Sequence, residues 1–556
     1  MRSSAQLRSI DSQAYVRAGT GRAFSAGAII LCIAAVSASL AMPAGFAGWD
    51  DLHYVQAAQR WLTEGVNVPA NHWGTRLPYV VTLAASLRVF GLSDLALTVP
   101  NTILFGIMLL LLWRIGASLS GARTAFCTSL VAAATPLFFR MPTNYYPEVM
   151  EIVFAAGATV LTLSALAAGR ERPGPVMAAA ATRPPGSSRA IRLLAAGLCG
   201  GVGILVRQTA LSVPIALSVL ILLTDRAAAG RVSWQRSGAG VLLLAVGYAI
   251  PVALECLFYL VMTGHPLERL VIDSRHVLIP SSHMRGGTFT SGSPLFNWTL
   301  AARWDVPSLI RVHWTINPLL RVFTSPGLLL TPWLCVAGGV LAIRLRGFAR
   351  TYAIFAAVGF LAQYVLNTFV LVIAPDTRYF SVGIALATPL AGLLLAALPG
   401  LRLIAAAVLL LVAPCLLVIS LEPTPAHLMP GLERFLTSGR PVHAAPVHVS
   451  QEVMDAATIL FADHPGLARQ AERFSAPDQI PVGDLAVVDP YGWGGTDLAQ
   501  QCTGQRLQWQ PVDTASRPSI YWRLLQAAGL SRHVPPGLAH PLEREKDRLT
   551  LVRRNC

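Results

Sequence analysis

Apolar runs of about twenty residues, separated by short Arg-bearing segments, constrain this chain more than any other feature. The hydrocarbon core of a bilayer is about 30 Å thick and takes roughly 20 helical residues to cross. Such runs lie at about 25–46, 97–116, 123–139, 149–168, 191–206, 208–224, 239–262, 325–343, 351–373, 379–398 and 402–420. The sequence therefore predicts a polytopic α-helical membrane protein with about eleven spans. Composition agrees: of 556 residues, 54% are hydrophobic and 13% charged, against roughly 25% charged in an ordinary soluble domain. One large soluble enzyme and an intrinsically disordered chain are both excluded.

The net charge of +15 resembles a nucleic-acid signal until the charges are located. All basic residues but Lys546 are Arg, and they cluster in the short connections, where membrane topology is written. The first run follows a basic segment with Arg2, Arg8, Arg17 and Arg22. It is longer than the 7–15 residues of a signal-peptide core, so it reads as an uncleaved first span with residue 48 emerging outside. The stretch 193–224 reads either as one long helix or as a tight hairpin. The hairpin keeps Arg226, Arg231 and Arg236 inside and is preferred. Eighteen Arg and only three acids (Asp11, Glu171 and Asp225) then face the cytoplasm, a surplus equal to the whole net charge. The charge is a positive-inside bias, and nucleic acid is not expected as a partner.

This topology divides the chain into a basic cytoplasmic N-terminus (1–24), a membrane domain (25–420) and a tail (421–556) on the outer, periplasmic side of a bacterial inner membrane. Two further outer segments, 47–96 and 264–324, are too long for turns. The Pro/Gly-rich segment 172–188 reads as a cytoplasmic connector, and no internal repeat is visible. The tail has strand-like 485–488 and 549–552 beside helix-like stretches at about 451–472 and 520–529, predicting a small α/β domain. Cys32, Cys127, Cys199, Cys256, Cys335 and Cys415 fall within spans as packing residues. Cys502 and Cys556 lie in the tail, where an oxidising compartment permits either a bridge or two free thiols.

Chemistry concentrates just beyond the first span. Asp50 and Asp51 open a stretch in which Leu52, Val55, Ala58, Trp61 and Leu62 follow helical spacing, the pattern of an amphipathic helix lying along a membrane. Acids at a helix start are ordinary caps. Held rigidly at the bilayer surface, they also suit a general base or a divalent-cation site. The segment Asn71-His72-Trp73-Gly74-Thr75-Arg76 follows, leading into an apolar helix that ends at Gly91. Arg can grip phosphate oxygens in a bidentate manner, and His72 and the aromatic rings suit a ring-containing anion. The plainer reading is interfacial anchoring by aromatic and Arg side chains. Arg207 falls at the outer turn of the 193–224 hairpin, where it acts as an anchor paired with an acid or as a ligand-binding cation. Glu255, inside the seventh span, is either partnered or protonated. Tyr145, Tyr146 and the histidines at 265, 276, 283 and 313 are candidates to line an acceptor cleft, although a single histidine is more often a surface residue. No His spacing reads as a zinc motif.

Five motifs in order resemble the membrane glycosyltransferases of the dolichyl-phosphate-mannose protein mannosyltransferase type, a GT-C group that includes the lipid A aminoarabinose transferase. They are Asp50-Asp51-x-x-Tyr54, His72-Trp73-Gly74-x-Arg76-Leu77-Pro78 (followed by Phe90-Gly91-x-Ser93), Tyr146-Pro147-Glu148, the stretch from Gly201 to Arg207, and Pro375-Asp376-Thr377-Arg378-Tyr379. The resemblance covers about 25–400. It implies transfer of a sugar from a polyprenyl-phosphate donor to a hydroxyl of a lipid, glycan or protein acceptor on the periplasmic face, with inversion. Asp50, Asp51 and Glu148 are then catalytic candidates, with Asp50 as general base. Tyr54, His72, Arg76, Arg207, Arg378 and Tyr379 bind substrate, the three Arg holding phosphate. No cofactor is certain, and Asp50 with Asp51 is the place for a divalent metal. The chain departs from the family in having Asp50-Asp51 for the usual Asp-Glu, Glu148 (with Glu151 one turn on) for a frequent Asp, and no His-Pro-Pro in the second segment. These departures bear on the sugar and the acceptor. The competing classes are a transporter or flippase of a lipid-linked sugar, which needs charges along a path at midplane, and a scaffold whose tail binds a partner.

Overall fold

A computed structural model of the chain describes residues 21–168, 185–229, 234–277, 298–300, 311–313, 315–345, 347–371, 376–421, 428–437, 446–474, 479–488, 509–544 and 549–554. Most of the basic N-terminus, most of the 172–188 connector, His283, Pro375, Cys502 and Cys556 lie outside the described residues.

The fold is mostly helical, as the apolar runs require. Among the described residues, eight helices are long and apolar enough to cross a membrane: Asp94–Ser120, Glu148–Ala167, Ser188–Val206, Gln208–Arg226, Gln235–Thr263, Gly347–Val370, Thr377–Ala396 and Gly400–Leu421. The shorter apolar helices are Ala26–Ala41, Leu77–Phe90 and Thr331–Leu345. Two of the expected runs are interrupted. The run at 123–139 is a helix Ala122–Ala133 that stops before Pro136. Thr135 is extended (φ −87°, ψ 118°), because the ring of a proline disfavours helical backbone at the residue before it. The run at 325–343 becomes helical only at Thr331, after Leu329 takes a positive φ of 50°.

The 193–224 question has a geometric answer. We label α1 as Pro185–Val206, α2 as Ser212–Ala229 and α3 as Trp234–Thr263. Arg207 breaks the helix in an extended conformation (φ −154°, ψ 139°) and is followed by a 3₁₀ turn, Gln208–Leu211. Arg189 near the start of α1 bonds Asp225 near the end of α2 at 2.7 Å. The far ends of the two helices therefore meet, and Arg207 sits at the hairpin tip. Arg192 reaches Ser164 O at 2.8 Å, which places the end of Glu148–Ala168 at the same level.

Close packing follows from small residues. A Cβ built on Gly197 of α1 would strike the backbone of Leu244, Gly247 and Tyr248 on α3, and one on Gly247 would strike Leu194, Gly197 and Leu198. Gly197 and Gly201 form a small-xxx-small pair, which lets helix backbones approach in lipid. Leu193, Ala196, Leu217, Leu220, Ile221 and Leu244 lie in one buried cluster with residues of the neighbouring helices.

The tail carries a mixed five-stranded sheet: β1 Val447–Ser450, β2 Ala471–Phe474, β3 Leu485–Val488, β4 Trp509–Ala515 and β5 Leu549–Arg554. Its strand order is β2-β1-β3-β5-β4. β1 is parallel to β2 and β3, and β5 is antiparallel to β3 and β4. The expected long helix at 451–472 is broken into Gln451–Ala456, Thr458–Asp463 and Pro465–Ala468 before β2 begins. Pro465, which cannot donate within a helix, opens the last of these short pieces.

The sheet region touches the helical region at its most sensitive point. Gly48 has φ +75°, and a Cβ there would collide with the backbone of Asp455 and Ala456. Ile459 is buried in one cluster with Phe46, Tyr54, Tyr79 and Tyr145.

Candidate active site

The site begins with the turn that leads into α-helix Asp50–Glu64. The two adjacent carboxylates diverge. Asp51 is buried (1% exposed) and accepts the N–H groups of Ala47 (2.5 Å), Trp49 (2.8 Å) and Leu52 (3.0 Å). Both of its oxygens are occupied by its own loop. Asp50 points the other way and accepts from Arg378 Nη1 at 2.8 Å. Burial raises the Asp51 carboxyl to about 6 against the pull of those N–H groups. Burial also acts on Asp50, but Arg378 and then Arg76 outweigh it and hold that carboxyl at about 2.

Arg378 is delivered by a tight 3₁₀ turn, Thr377–Phe380, capped by Asp376, whose carboxylate accepts the Arg378 N–H at 3.1 Å. A second support was not visible in the sequence. Residues Leu366–Val370 form a π-helical turn, and buried Asn367 donates its side-chain amide to Tyr379 O at 2.7 Å. Such turns arise where a helix takes in one extra residue, often beside a functional site. The Tyr379 ring has two guanidinium groups close to it, with Arg207 4.7 Å and Arg378 5.2 Å from its centroid. The Tyr146 ring lies 5.3 Å from Arg378.

Arg207 comes from the hairpin tip and bonds Glu148 Oε1 at 2.7 Å, with Glu151 Oε2 at 3.9 Å. All three side chains are buried. Glu148 Oε2 is buried without a hydrogen bond among the described residues. Thr209 bonds Glu151, so the 207–209 turn is tied to Glu148–Ala168 twice.

Arg76 immediately precedes the short helix Leu77–Phe90, whose second residue is Pro78. Its guanidinium stacks 5.2 Å from the Tyr54 ring centroid, and Tyr54 meets Tyr79 edge-on at 5.2 Å. Burial and then the neighbouring Arg207 bring Arg76 down to about 10, although Asp50 and Glu148 act in its favour. It is therefore cationic at neutral pH. Among the described residues Arg76 forms no ion pair, whereas Arg207 pairs with Glu148 and Arg378 with Asp50. His72 packs on Trp73 (3.7 Å between ring centroids), and Trp73 stacks on His53 at 4.0 Å.

The structure thus gathers Asp50, Tyr54, Arg76, Glu148, Arg207, Arg378 and Tyr379 into one cluster through the contacts above, while Asp51 faces its own loop. His72 meets the neighbouring helix through the rings of Trp73 and His53. The cluster offers three guanidinium groups for a doubly charged anion, with the carboxyl groups of Asp50 and Glu148 beside them. Among the described residues, no group of three or more His, Cys, Asp and Glu side chains is arranged to hold a metal. Asp50 and Asp51 spend their oxygens on different partners. Glu255 has a partner, Arg269, whose Nη1 bonds both its oxygens at 2.9 and 3.0 Å. Of the remaining candidates, Tyr145 lies in the buried cluster around Tyr54, and His265 is exposed.

Residues 77–183 match the family described as dolichyl-phosphate-mannose-protein mannosyltransferase. The resemblance read from the motifs is borne out over that stretch, which carries Tyr146-Pro147-Glu148. Comparison with curated proteins gives no match. Among solved structures, the chain is similar to ArnT from Cupriavidus metallidurans bound to undecaprenyl phosphate, with 14% identity and a TM-score of 0.43 over 94% of this chain and 97% of that one. It is also similar to the Archaeoglobus fulgidus oligosaccharyltransferase in its apo form, with 11% identity and a TM-score of 0.45 over 84% of this chain and 69% of that one. A third is the arabinosyltransferase EmbB from Mycobacterium smegmatis, with 14% identity and a TM-score of 0.39 over 80% of this chain and 38% of that one.

Proposed function

We propose that this protein is an integral-membrane glycosyltransferase of the GT-C type. It transfers a sugar from a polyprenyl-phosphate donor to a hydroxyl acceptor on the outer, periplasmic face of a bacterial inner membrane, with inversion. The observation that carries this reading is the convergence of Arg76, Arg207 and Arg378 on one end of the helices beside Asp50 and Glu148. The family match over 77–183 supports the reaction class.

In this reading the donor phosphate has a second task. A carboxylate at about 2 is a poor base, because Arg378 stabilises its charge. A phosphate that draws Arg378 to itself releases Asp50 and adds a negative charge nearby, and both changes raise the affinity of Asp50 for a proton. Asp50 then takes the proton of the attacking hydroxyl while the anomeric carbon–oxygen bond to phosphate breaks. The electron pair leaves on the phosphate oxygen, where Arg76 and Arg207 stabilise it. Glu148, with one oxygen on Arg207 and one open, orients that cation.

The test is transfer measured in membranes together with lipid-extract mass spectrometry of a deletion strain, which identifies the glycolipid or glycan that loses a sugar. Asp50→Asn keeps the size of the side chain and should lower turnover by roughly 10²–10⁴-fold at normal protein level. Arg378→Ala should chiefly weaken donor binding. If Asp51→Asn lowers turnover more than Asp50→Asn, the base is the other carboxylate. Intact transfer in both Asn variants sinks the site and favours the transporter reading. That reading has little support from the charges described, which gather at the two ends of the helices: Asp50, Glu148, Arg207 and Arg378 at one, Arg189, Asp225 and Arg236 at the other.

A further inference from the structure

Two of the three arginines assigned to phosphate sit next to residues held by one carboxylate that no motif contains. Helix Glu268–Val277 follows α3 after a short turn. Its Asp273 lies 3.0 Å from the Thr75 hydroxyl through Oδ1 and accepts the side-chain amide of Gln208 on Oδ2 at 2.5 Å. Thr75 immediately precedes Arg76, and Gln208 immediately follows Arg207. The Thr75 proton is shared with His72 O at 2.7 Å, so the same contact steadies the His72–Arg76 turn.

Asp273 is itself held in place. Arg269, one turn earlier on the same helix, has Nε 3.5 Å from Asp273 Oδ2. Its Nη1 grips Glu255 on α3, and its Nη2 donates to Ile204 O near the end of α1 at 3.3 Å. Both Arg269 and Glu255 are buried. Two helices of the bundle therefore anchor Arg269, Arg269 and Gln208 anchor Asp273, and Asp273 spans the 72–76 and 207–208 segments. Arg76 and Arg207 carry like charges and disfavour one another. Arg207 is also held by Glu148 and its turn by Glu151, and Arg76 stacks on Tyr54; Asp273 adds a direct link between the two segments that carry them.

We propose that Asp273 is a positioning residue for the donor phosphate, fixing the spacing of Arg76 and Arg207 so that both meet one phosphate group. Asp273 touches no reacting atom. This inference rests on the assignment of those two arginines to phosphate, and its test separates the two ideas.

The probe is undecaprenyl phosphate, titrated into the purified full-length chain in detergent and followed by its effect on thermal unfolding. Asp273→Ala should weaken binding about tenfold, the loss expected when a charge-assisted hydrogen bond of roughly 1.4 kcal/mol is removed from the bound geometry. Asp273→Asn should recover binding to within about threefold, since Gln208 can turn its amide oxygen toward the new N–H₂ group. A role in stability alone would lower the unliganded melting temperature and leave affinity unchanged. If Asp273→Ala does not fold, Thr75→Val, which removes one of the two clamped hydroxyl and amide groups at nearly constant size, should still weaken binding by a few-fold. Wild-type affinity in Asp273→Ala alongside weakened binding in Arg76→Ala overturns the positioning role and leaves the phosphate assignment standing. Wild-type affinity in both Arg76→Ala and Arg207→Ala overturns the phosphate assignment, and the positioning role falls with it.

Discussion

A carboxylate buried against backbone amides and one buried against a guanidinium hold their protons differently, and the adjacent Asp50 and Asp51 show both cases. Asp51, at about 6, lies above the roughly 3.9 of an unfolded Asp. The folded state therefore binds its proton more tightly, and burying its charge costs stability that is fully felt above pH 6 and relieved as pH falls towards 4. Wild type should gain about 1.4 kcal/mol relative to Asp51→Asn between pH 8 and pH 5, measured as the difference in their unfolding free energies. Asp50, at about 2 in the free protein, has the opposite shift. If a donor phosphate draws Arg378 away as proposed, the acid limb of kcat, which reports the substrate-bound enzyme, should fall at higher pH than that of kcat/KM. Coincident limbs would show that Arg378 stays on Asp50 throughout. The sequence made both acids visible, and only the family resemblance, not their spacing, put Asp50 forward as the base. An Asp-Asp pair at a helix start looks the same whichever side chain turns inward, and the division depends on the fold of residues 44–49. Arg207 and Arg378 were legible because a cation beside an apolar run needs a reason. Asn367 and Asp273 were not, because the partners of each are brought near only by folding.

At the scale of the element, the breaks matter as much as the helices. Each expected apolar run contains a helix, since hydropathy over twenty residues is a strong signal. Where a helix stops is governed by single residues: Pro136 ends one, the extended Arg207 splits a hairpin, and the π turn at 366–370 re-aims another so that Asn367 reaches Tyr379. Periodicity does not register an extra residue in a helix that stays apolar. The α1–α3 contact carries a prediction. Leu at Gly197 would have to displace backbone rather than flexible side chains, and overpacking typically costs 1–3 kcal/mol, more where nothing can yield. Gly197→Leu should therefore sharply reduce the yield of folded protein. Gly106 has nothing within 4 Å of a built Cβ, so Gly106→Leu should be tolerated; equal yields from the two variants would show that the glycine pair is not a contact point.

For the whole molecule, the expected topology puts the tail on the same side as Asp50, and the contact of Gly48 with residues 455 and 456 agrees. An alkaline phosphatase fusion near residue 430 should therefore be active; an inactive one, paired with a fluorescent cytoplasmic reporter at the same point, would overturn the span count. The sheet itself was only partly legible. The two strands read from the sequence, 485–488 and 549–552, are β3 and the core of β5, whereas β1, β2 and β4 were missed because their pattern is not continuously apolar. Gly48→Ala should abolish transfer while leaving insertion intact. Gly65 has nearly the same φ, +74°, but open space around it, so Gly65→Ala carries the backbone strain of about 1–2 kcal/mol without the collision and should keep most activity.

The meeting of Gly48 with Asp455 also sets a schedule. A ribosome makes residue 455 long after residue 48. For most of its synthesis the Asp50 turn lacks the surface it finally rests against. The half-made chain therefore carries Asp50, and Arg378 that pairs with it, before the residues that its turn meets exist. If Asp50 is the base, a chain cut short before residue 455 should be inert rather than a loose and wasteful catalyst, because the turn that carries Asp50 then lacks its contact with Asp455 and Ala456.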